Sequence, residues 1–249
     1  MLKLHKKSEI TFSLIWIGVY CVLQSLANPL NQVIGINYSA SAIFCFLQVV
    51  ILLHFIMKND LLQQYGLCKS PVPARQFLYY LPLIVIMTSN FWNGVVVNFT
   101  LLETICYIIC MLCVGFMEEV IFRGLLFKAI AKDNAKMAIV ISSVTFGLGH
   151  VLNLINGSGM GALENLFQIT GAVAIGFLFV IVFYRGGSLL PCIIAHAVIN
   201  ITSAFANGMG LMIERRMLFH MALIAITIVY TVVLTKTLPN HQYLDRGDN

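Results

Sequence analysis

Charged residues are scarce in this sequence of 249 residues. Only 10% of the chain is Asp, Glu, Lys or Arg, whereas 59% is apolar, and the mean hydropathy is +0.90. A soluble domain carries roughly 25% charged residues, so this composition excludes an ordinary soluble protein and predicts an integral membrane protein. Because no stretch is polar enough to form a separate soluble domain, we expect one polytopic membrane domain over residues 1–249.

Several familiar signatures are also missing from the sequence. The seven cysteines are an odd number without the spacing of a disulfide framework. The chain contains no HExxH, GxSxG or phosphate-loop motif, which excludes the enzyme families defined by those motifs. The net charge of +5 is explained by membrane topology and anionic lipid, so we expect no nucleic-acid partner.

Long apolar runs follow one another along the whole chain. About 20 apolar residues are needed to cross a bilayer as a helix. Eight segments meet this requirement, namely 10–29, 34–57, 77–98, 102–128, 137–155, 165–184, 188–206 and 217–235. The sequence therefore predicts an all-α membrane protein, an eight-helix transmembrane bundle.

The distribution of positive charge predicts the orientation of this bundle. With both termini in the cytoplasm, twelve of the fifteen Lys and Arg residues fall on the cytoplasmic side, as the positive-inside rule requires. Only Arg215 and Arg216 fall outside, and Arg123 lies within the fourth span. Residues 3–27 are also typical of a cleavable signal peptide, with lysines, an apolar run and Ser-Leu-Ala at the end. We expect this first helix to be retained.

Three charged residues lie deep within the fourth apolar segment. A carboxylate at bilayer depth costs a few kcal/mol, so Glu118 and Glu119 indicate function rather than packing. Glu119 and Arg123 are four residues apart, which is favourable for an ion pair on a helix. Adjacent residues point about 100° apart, so Glu118 faces elsewhere and is expected to be free to act in catalysis. A buried charge network that only joins helices is the alternative interpretation.

Two later spans carry polar residues at helical spacing. His150 ends the stretch FGLGH four residues after Phe146, and its two glycines would allow another helix to approach closely. His196 and Asn200 are also four residues apart. From the helical rise, Glu118, His150, His196 and Asn200 all lie about 12–20 Å from the cytoplasmic side. We therefore expect these side chains to meet near the middle of the membrane.

These residues resemble the three motifs of the CPBP intramembrane proteases, a family that includes the type II CAAX prenyl endopeptidases and bacterial Abi-type membrane proteins. The motifs are Glu118-Glu119-x-x-x-Arg123, Phe146-x-x-x-His150 and His196-x-x-x-Asn200. Their order and spacing are unbroken within a motif-bearing core of about residues 100–206. The first 100 residues carry no motif of the family.

The resemblance implies an endopeptidase that hydrolyses a peptide bond with a glutamate-activated water. By position, Glu118 would be the general base, assisted by His150, and His196 with Asn200 would hold the oxyanion. Glu119 and Arg123 would be the supporting ion pair. The expected substrate is a peptide precursor or a membrane-associated protein. The short loops are typical of a bacterial, multi-pass plasma-membrane member of the family.

Other functions are compatible with the same residues. Glu118, His150 and His196 could instead bind zinc as two histidines and one carboxylate with an open position. We favour metal-free catalysis, because a zinc-bound His196 would leave only Asn200 for the oxyanion. A non-catalytic scaffold or bacteriocin-immunity protein would keep the fold without proteolysis. A proton-coupled transporter would also place Glu and His in the membrane, but the paired broken helices of inverted repeats are not evident.

Overall fold

The computed structural model describes residues 1–155, 161–208 and 212–239, and the regular structure of these residues is helical. The α-helices of this part of the chain are α1 (Leu2–Lys7), α2 (Glu9–Ile34), α3 (Ser39–Lys58), α4 (Leu81–Met87), α5 (Leu101–Glu119), α6 (Lys128–Ala131), α7 (Ala135–Gly149), α8 (Leu152–Ile155), α9 (Ala162–Gly186), α10 (Leu190–Thr202) and α11 (Ile213–Thr237). Short 3₁₀ segments occupy Ala74–Tyr80, Ser89–Phe91 and Ser203–Phe205, and a π-helix occupies Val120–Phe127.

Six helical segments among the described residues are long and apolar enough to cross a membrane. They are Glu9–Ile34, Ser39–Lys58, Leu101–Ala131, Ala135–Leu154, Ala162–Gly186 and Ile213–Thr237. The third of them consists of α5, the π-helix and α6 in direct succession. The prediction of an all-α, multi-pass integral membrane protein is therefore confirmed, whereas the orientation of its termini stays a prediction.

The predicted span at 188–206 forms a shorter apolar helix, Leu190–Phe205. Its start is fixed by the loop that follows α3. The Ser188 hydroxyl donates to the Cys68 carbonyl at 2.6 Å, and the Leu189 N–H donates to the Gly66 carbonyl at 2.8 Å. These bonds hold the two buried residues that directly precede the helix, Ser188 and Leu189.

The prediction of one spanning helix at 77–98 is wrong. The only α-helix in this segment is α4, which has seven residues. Leu78, Tyr79 and Tyr80 have φ angles of +51°, +51° and +58°, which lie in the left-handed region and prevent a continuous right-handed helix before α4. Hydropathy does not reveal this interruption, because all three side chains are apolar or aromatic.

The chain after α4 is tied to the end of α10 by asparagine side chains. Asn90 Nδ2 donates to the Ile199 carbonyl at 2.6 Å, and Asn98 Nδ2 donates to the Ala204 carbonyl at 3.0 Å. The Val96 N–H donates to the Phe205 carbonyl at 3.0 Å, beside an isolated antiparallel bridge. These bonds give the polar groups of an irregular segment partners that a membrane interior would not supply.

The π-helix lies at the centre of the molecule, and all eight of its residues are buried. The widened turn alters the i→i−4 bonding of an α-helix. The Ser142 hydroxyl of α7 donates to the Phe122 carbonyl of the π-helix at 2.8 Å. This arrangement fixes α7 against the segment that carries the intramembrane charges.

Small residues bring α7 and α9 into close contact. A Cβ atom on Gly147 would overlap with Val173 Cγ2 and would lie 3.0 Å from the Val173 backbone nitrogen. One on Gly176 would lie 3.1 Å from the Ser143 Cα atom. The predicted close approach is thus confirmed at Gly147. It is wrong at Gly149, where a Cβ atom would meet nothing within 4 Å.

Candidate active site

Glu119 ends α5, and Arg123 lies one turn later in the π-helix. The Arg123 Nη1 atom donates to Glu119 Oε1 at 3.0 Å, and both side chains are completely buried. The predicted ion pair is therefore confirmed. Removing one member of a buried ion pair typically costs about 3–5 kcal/mol, because the other charge is left without compensation. This pair fixes the beginning of the π-helix.

His196 of α10 lies between the two adjacent glutamates. Its Nδ1 atom is 2.9 Å from Glu119 Oε1, and its Nε2 atom is 3.6 Å from Glu118 Oε2. An ionised carboxylate can only accept a hydrogen bond. The Nδ1 atom therefore carries a proton and donates a hydrogen bond to Glu119. The imidazole is thereby oriented with Nε2 towards Glu118.

Glu118 differs from Glu119 in exposure and in partners. The Glu118 side chain is 14% exposed, whereas that of Glu119 is 0% exposed. Glu118 Oε1 accepts a hydrogen bond of 2.6 Å from the Tyr20 hydroxyl of α2. Glu118 therefore has partners of its own, since Tyr20 binds one of its oxygens and His196 faces the other, and its role in catalysis stays a prediction.

The Phe146 ring connects the histidines with the buried arginine. The central carbon of the Arg123 guanidinium lies 4.0 Å from the centroid of this ring. The Phe146 ring also makes edge contacts with His150 and His196, at centroid distances of 5.5 and 5.6 Å. Two Arg123 donors, Nε and Nη2, have no hydrogen-bond partner among the described residues. The aromatic face therefore provides cation–π stabilisation where hydrogen bonds are missing.

His150 directly follows the last residue of α7 and is held at two atoms. Its Nδ1 atom is 3.3 Å from the Phe146 carbonyl, which can only accept, so Nδ1 carries the proton of this long hydrogen bond. In a neutral imidazole, Nε2 is then the nitrogen with a lone pair. The His150 carbonyl accepts a bond of 2.8 Å from Asn165 Nδ2 of α9. Asn165 is 1% exposed, so α9 fixes the His150 backbone from the interior.

Asn200 lies one turn after His196 on α10 and is half-buried. Its backbone carbonyl accepts from the Tyr107 hydroxyl at 3.2 Å and from the Ser203 hydroxyl at 2.7 Å. Within the described part of the chain, no hydrogen bond or ion pair joins the side chains of His150 or Asn200 to Glu118. The structure thus brings Glu118, Glu119 and His196 into direct contact, with His150 joined to them through an aromatic ring.

The alternative zinc site requires Glu118, His150 and His196 to lie together as ligands. Across residues 1–155, 161–208 and 212–239, no three His, Cys, Asp or Glu side chains form a group that could hold a metal ion. Glu118, His150 and His196 are therefore not gathered as a ligand set.

Two residues of the site are missing from the sequence prediction. Tyr20 is one of nine tyrosines and lies in an apolar helix, 98 residues before its partner Glu118. The one feature of the sequence that could have drawn attention to Tyr20 is its spacing. It lies four residues after Trp16 and four before Gln24, which places the three residues on one helix face. Asn165 is an uncharged residue near the start of a span, and nothing in its neighbourhood connects it with His150.

These observations define an integral membrane protein with a buried cluster of glutamate, arginine and histidine on neighbouring helices. Residues 99–202 match the family model described as type II CAAX prenyl endopeptidase Rce1-like. The match includes all three motifs and confirms the predicted resemblance to the CAAX protease family, which implies a protease. Neither a curated protein nor a solved structure shows a significant match. Tyr20 lies outside the matched residues.

Proposed function

We propose that the protein is an intramembrane endopeptidase in which Glu118 activates a water molecule for attack on a peptide bond. The observation that carries this proposal is the placement of His196, whose Nδ1 atom contacts Glu119 and whose Nε2 atom faces Glu118. One glutamate is neutralised and fully buried, and the other is partly exposed beside a histidine. This division of partners is what a supporting acid and a catalytic base require.

Glu118 is the general base of the proposed reaction. It takes a proton from water while the water oxygen forms a bond to the substrate carbonyl carbon. The carbonyl oxygen then carries the negative charge of a tetrahedral intermediate. When the C–N bond breaks, Glu118 returns the proton to the leaving amine, so the products are a carboxylic acid and an amine. His150 assists through its Nε2 lone pair, which its bond to Phe146 leaves available.

His196 and Asn200 stabilise the oxyanion in this proposal. Donors aimed at a developing negative charge are among the largest contributions to acyl-transfer catalysis. His196 can donate from Nε2 only when both of its nitrogens are protonated, since Nδ1 already donates to Glu119. The buried group of Glu118, Glu119, Arg123 and doubly protonated His196 then has no net charge.

The proposed substrate is a peptide precursor or a membrane-associated protein in a bacterial plasma membrane. Some connections between spans are short, as between Ile34 and Ser39, and provide little surface for recognising a folded soluble protein. The intramembrane position of the charges favours a substrate that reaches them from the bilayer. A lipid-anchored or apolar peptide is therefore the first substrate class to test.

The direct test uses the purified protein in lipid nanodiscs with a library of membrane-anchored peptides, and cleavage is detected by mass spectrometry. The proposal predicts cleavage by the wild type and its loss in Glu118→Gln and in His150→Ala. Full activity in either variant contradicts the assignment. A zinc chelator should leave the wild-type rate unchanged, whereas a loss of activity that added zinc restores would favour the metalloprotease alternative.

A further inference from the structure

Tyr20 makes a short, directional contact with the proposed base from a helix that carries no family motif. The 2.6 Å distance to Glu118 Oε1 lies within the range of about 2.5–2.7 Å for a hydroxyl bonded to an ionised oxygen. A carboxylate has no proton to give, so the phenol is the donor. The tyrosine is 9% exposed, which limits competition from water for this bond.

The two oxygens of the Glu118 carboxylate therefore have different surroundings. Oε1 is bound by the phenol of α2, while Oε2 faces His196 Nε2 of α10 at 3.6 Å. A hydrogen bond at one oxygen restricts rotation of the whole carboxylate about its terminal torsion, which is otherwise broad. The hydrogen bond at Oε1 thus also fixes the direction in which Oε2 points, which is towards His196.

The packing of α2 makes Tyr20 a rigid anchor. Phe12, Trp16 and Tyr20 are spaced four residues apart, and all three are buried. The Phe12 ring packs against Phe55 of α3 with 5.1 Å between centroids. One turn after the tyrosine, Gln24 Nε2 of α2 lies 2.8 Å from the sulfur atom of Cys45, which belongs to α3. Contacts on both sides therefore fix the position of the phenol.

We propose that Tyr20 is a positioning residue that holds Glu118 through Oε1 and leaves Oε2 as the oxygen that takes the proton from water. The inference rests on the proposed function and adds which oxygen reacts and which helix orients it. The site then depends on α2, outside the family match at residues 99–202. Cleavage after residue 27 would remove the phenol, so the active enzyme must retain its first span.

The test compares Tyr20→Phe with Tyr230→Phe in the full-length protein in nanodiscs. Tyr230 is also a buried tyrosine, and its hydroxyl donates to the Phe77 carbonyl at 2.7 Å, so this control loses one buried hydroxyl outside the site. The measurements are kcat and KM for one cleaved peptide and the thermal midpoint of each variant. Tyr20→Phe should lower kcat by about 10-fold to 100-fold, as expected for a lost hydrogen bond to a charged group, with KM changed less than about twofold.

The outcomes distinguish this inference from the function on which it rests. If the wild type cleaves peptides and both Phe variants keep its kcat, the role of Tyr20 is wrong and the protease assignment stands. Equal losses of kcat in the two variants, in parallel with their thermal midpoints, would show a merely structural hydroxyl and also contradict the inference. A wild type that cleaves none of the library contradicts the proposed function itself.

Discussion

A Cβ atom on Gly115 of α5 would lie 2.8 Å from the backbone nitrogen of Ala197 on α10. Contacts below 3.0 Å to a backbone atom cannot be relieved by a side-chain rotation, so the helices would have to separate. Ala197 directly follows His196, and Gly115 precedes Glu118 by three residues. This helix contact therefore sets the spacing between the histidine and the glutamates.

Gly115→Ala should lower both the stability and the activity of the protein. Overpacking of this kind typically costs about 1–3 kcal/mol, and here it displaces His196 from both carboxylates. The matched control is Gly18→Ala, because a Cβ atom on this exposed glycine of α2 would meet nothing within 4 Å. Thermal midpoints and cleavage rates in nanodiscs check the prediction. Equal midpoints and rates for the two variants would contradict it.

Phe146→Leu should weaken the site while keeping an apolar side chain at this position. Leucine retains the backbone carbonyl that orients His150 but removes the aromatic face 4.0 Å from the Arg123 guanidinium. A desolvated cation–π contact contributes up to about 2 kcal/mol. Phe179→Leu serves as the comparison, since this ring centroid is 5.7 Å from the same group. We expect the larger decrease in thermal midpoint for Phe146→Leu, and the opposite order would refute the argument.

The attachment of α1 should depend on pH through His5. Its Nε2 atom is hydrogen-bonded to the Tyr65 hydroxyl, and the pKa of His5 lies below its ordinary value of 6.5, mainly because of burial. Glu9 opposes this lowering of the pKa, whereas Lys132 and Lys6 contribute to it. Because the folded state prefers the neutral imidazole, stability is present above about pH 6.5 and is lost as the pH falls through the lowered pKa.

Hydrogen exchange of the α1 backbone measures this effect. After correction for intrinsic exchange rates, residues 2–8 of the wild type should exchange faster at pH 5 than at pH 7. His5→Gln removes the titrating group and should show little difference between the two pH values. The same pH response in both proteins would exclude His5 as its origin.

Helical spacing was sufficient to predict some contacts of the site, because an i, i+4 pair is local. The Glu119–Arg123 pair is of this kind, and it forms at 3.0 Å. The depth estimate also brought Glu118 and His196 to one level, and the two side chains do meet. Depth alone does not fix rotation about a helix axis. This explains why the hydrogen bond of Tyr20 could not be predicted.

Hydropathy predicted six segments that the structure confirms as apolar helices of spanning length. The hydropathy prediction failed at 77–98, because the apolar character of a segment does not determine its backbone torsion angles. Three successive residues with positive φ interrupt that segment before α4, and Asn90 and Asn98 bond to carbonyls near the end of α10. Those partners are more than 100 residues away in sequence, so the irregular path depends on contacts that a local pattern cannot show.

Substitutions of the two adjacent glutamates should have different effects on stability and activity, because the two side chains have different partners. Glu118→Gln keeps the buried Glu119–Arg123 pair, so the protein should retain its thermal midpoint while it loses its proteolytic activity. Glu119→Gln leaves the buried Arg123 without its counter-ion and should lower the stability by about 3–5 kcal/mol.

The most direct test of the division between the glutamates is therefore the cleavage rate of Glu118→Gln, measured beside its thermal midpoint and those of Glu119→Gln. We expect a folded, inactive Glu118→Gln and a destabilised Glu119→Gln. A Glu118→Gln variant that cleaves peptide at the wild-type rate would contradict it.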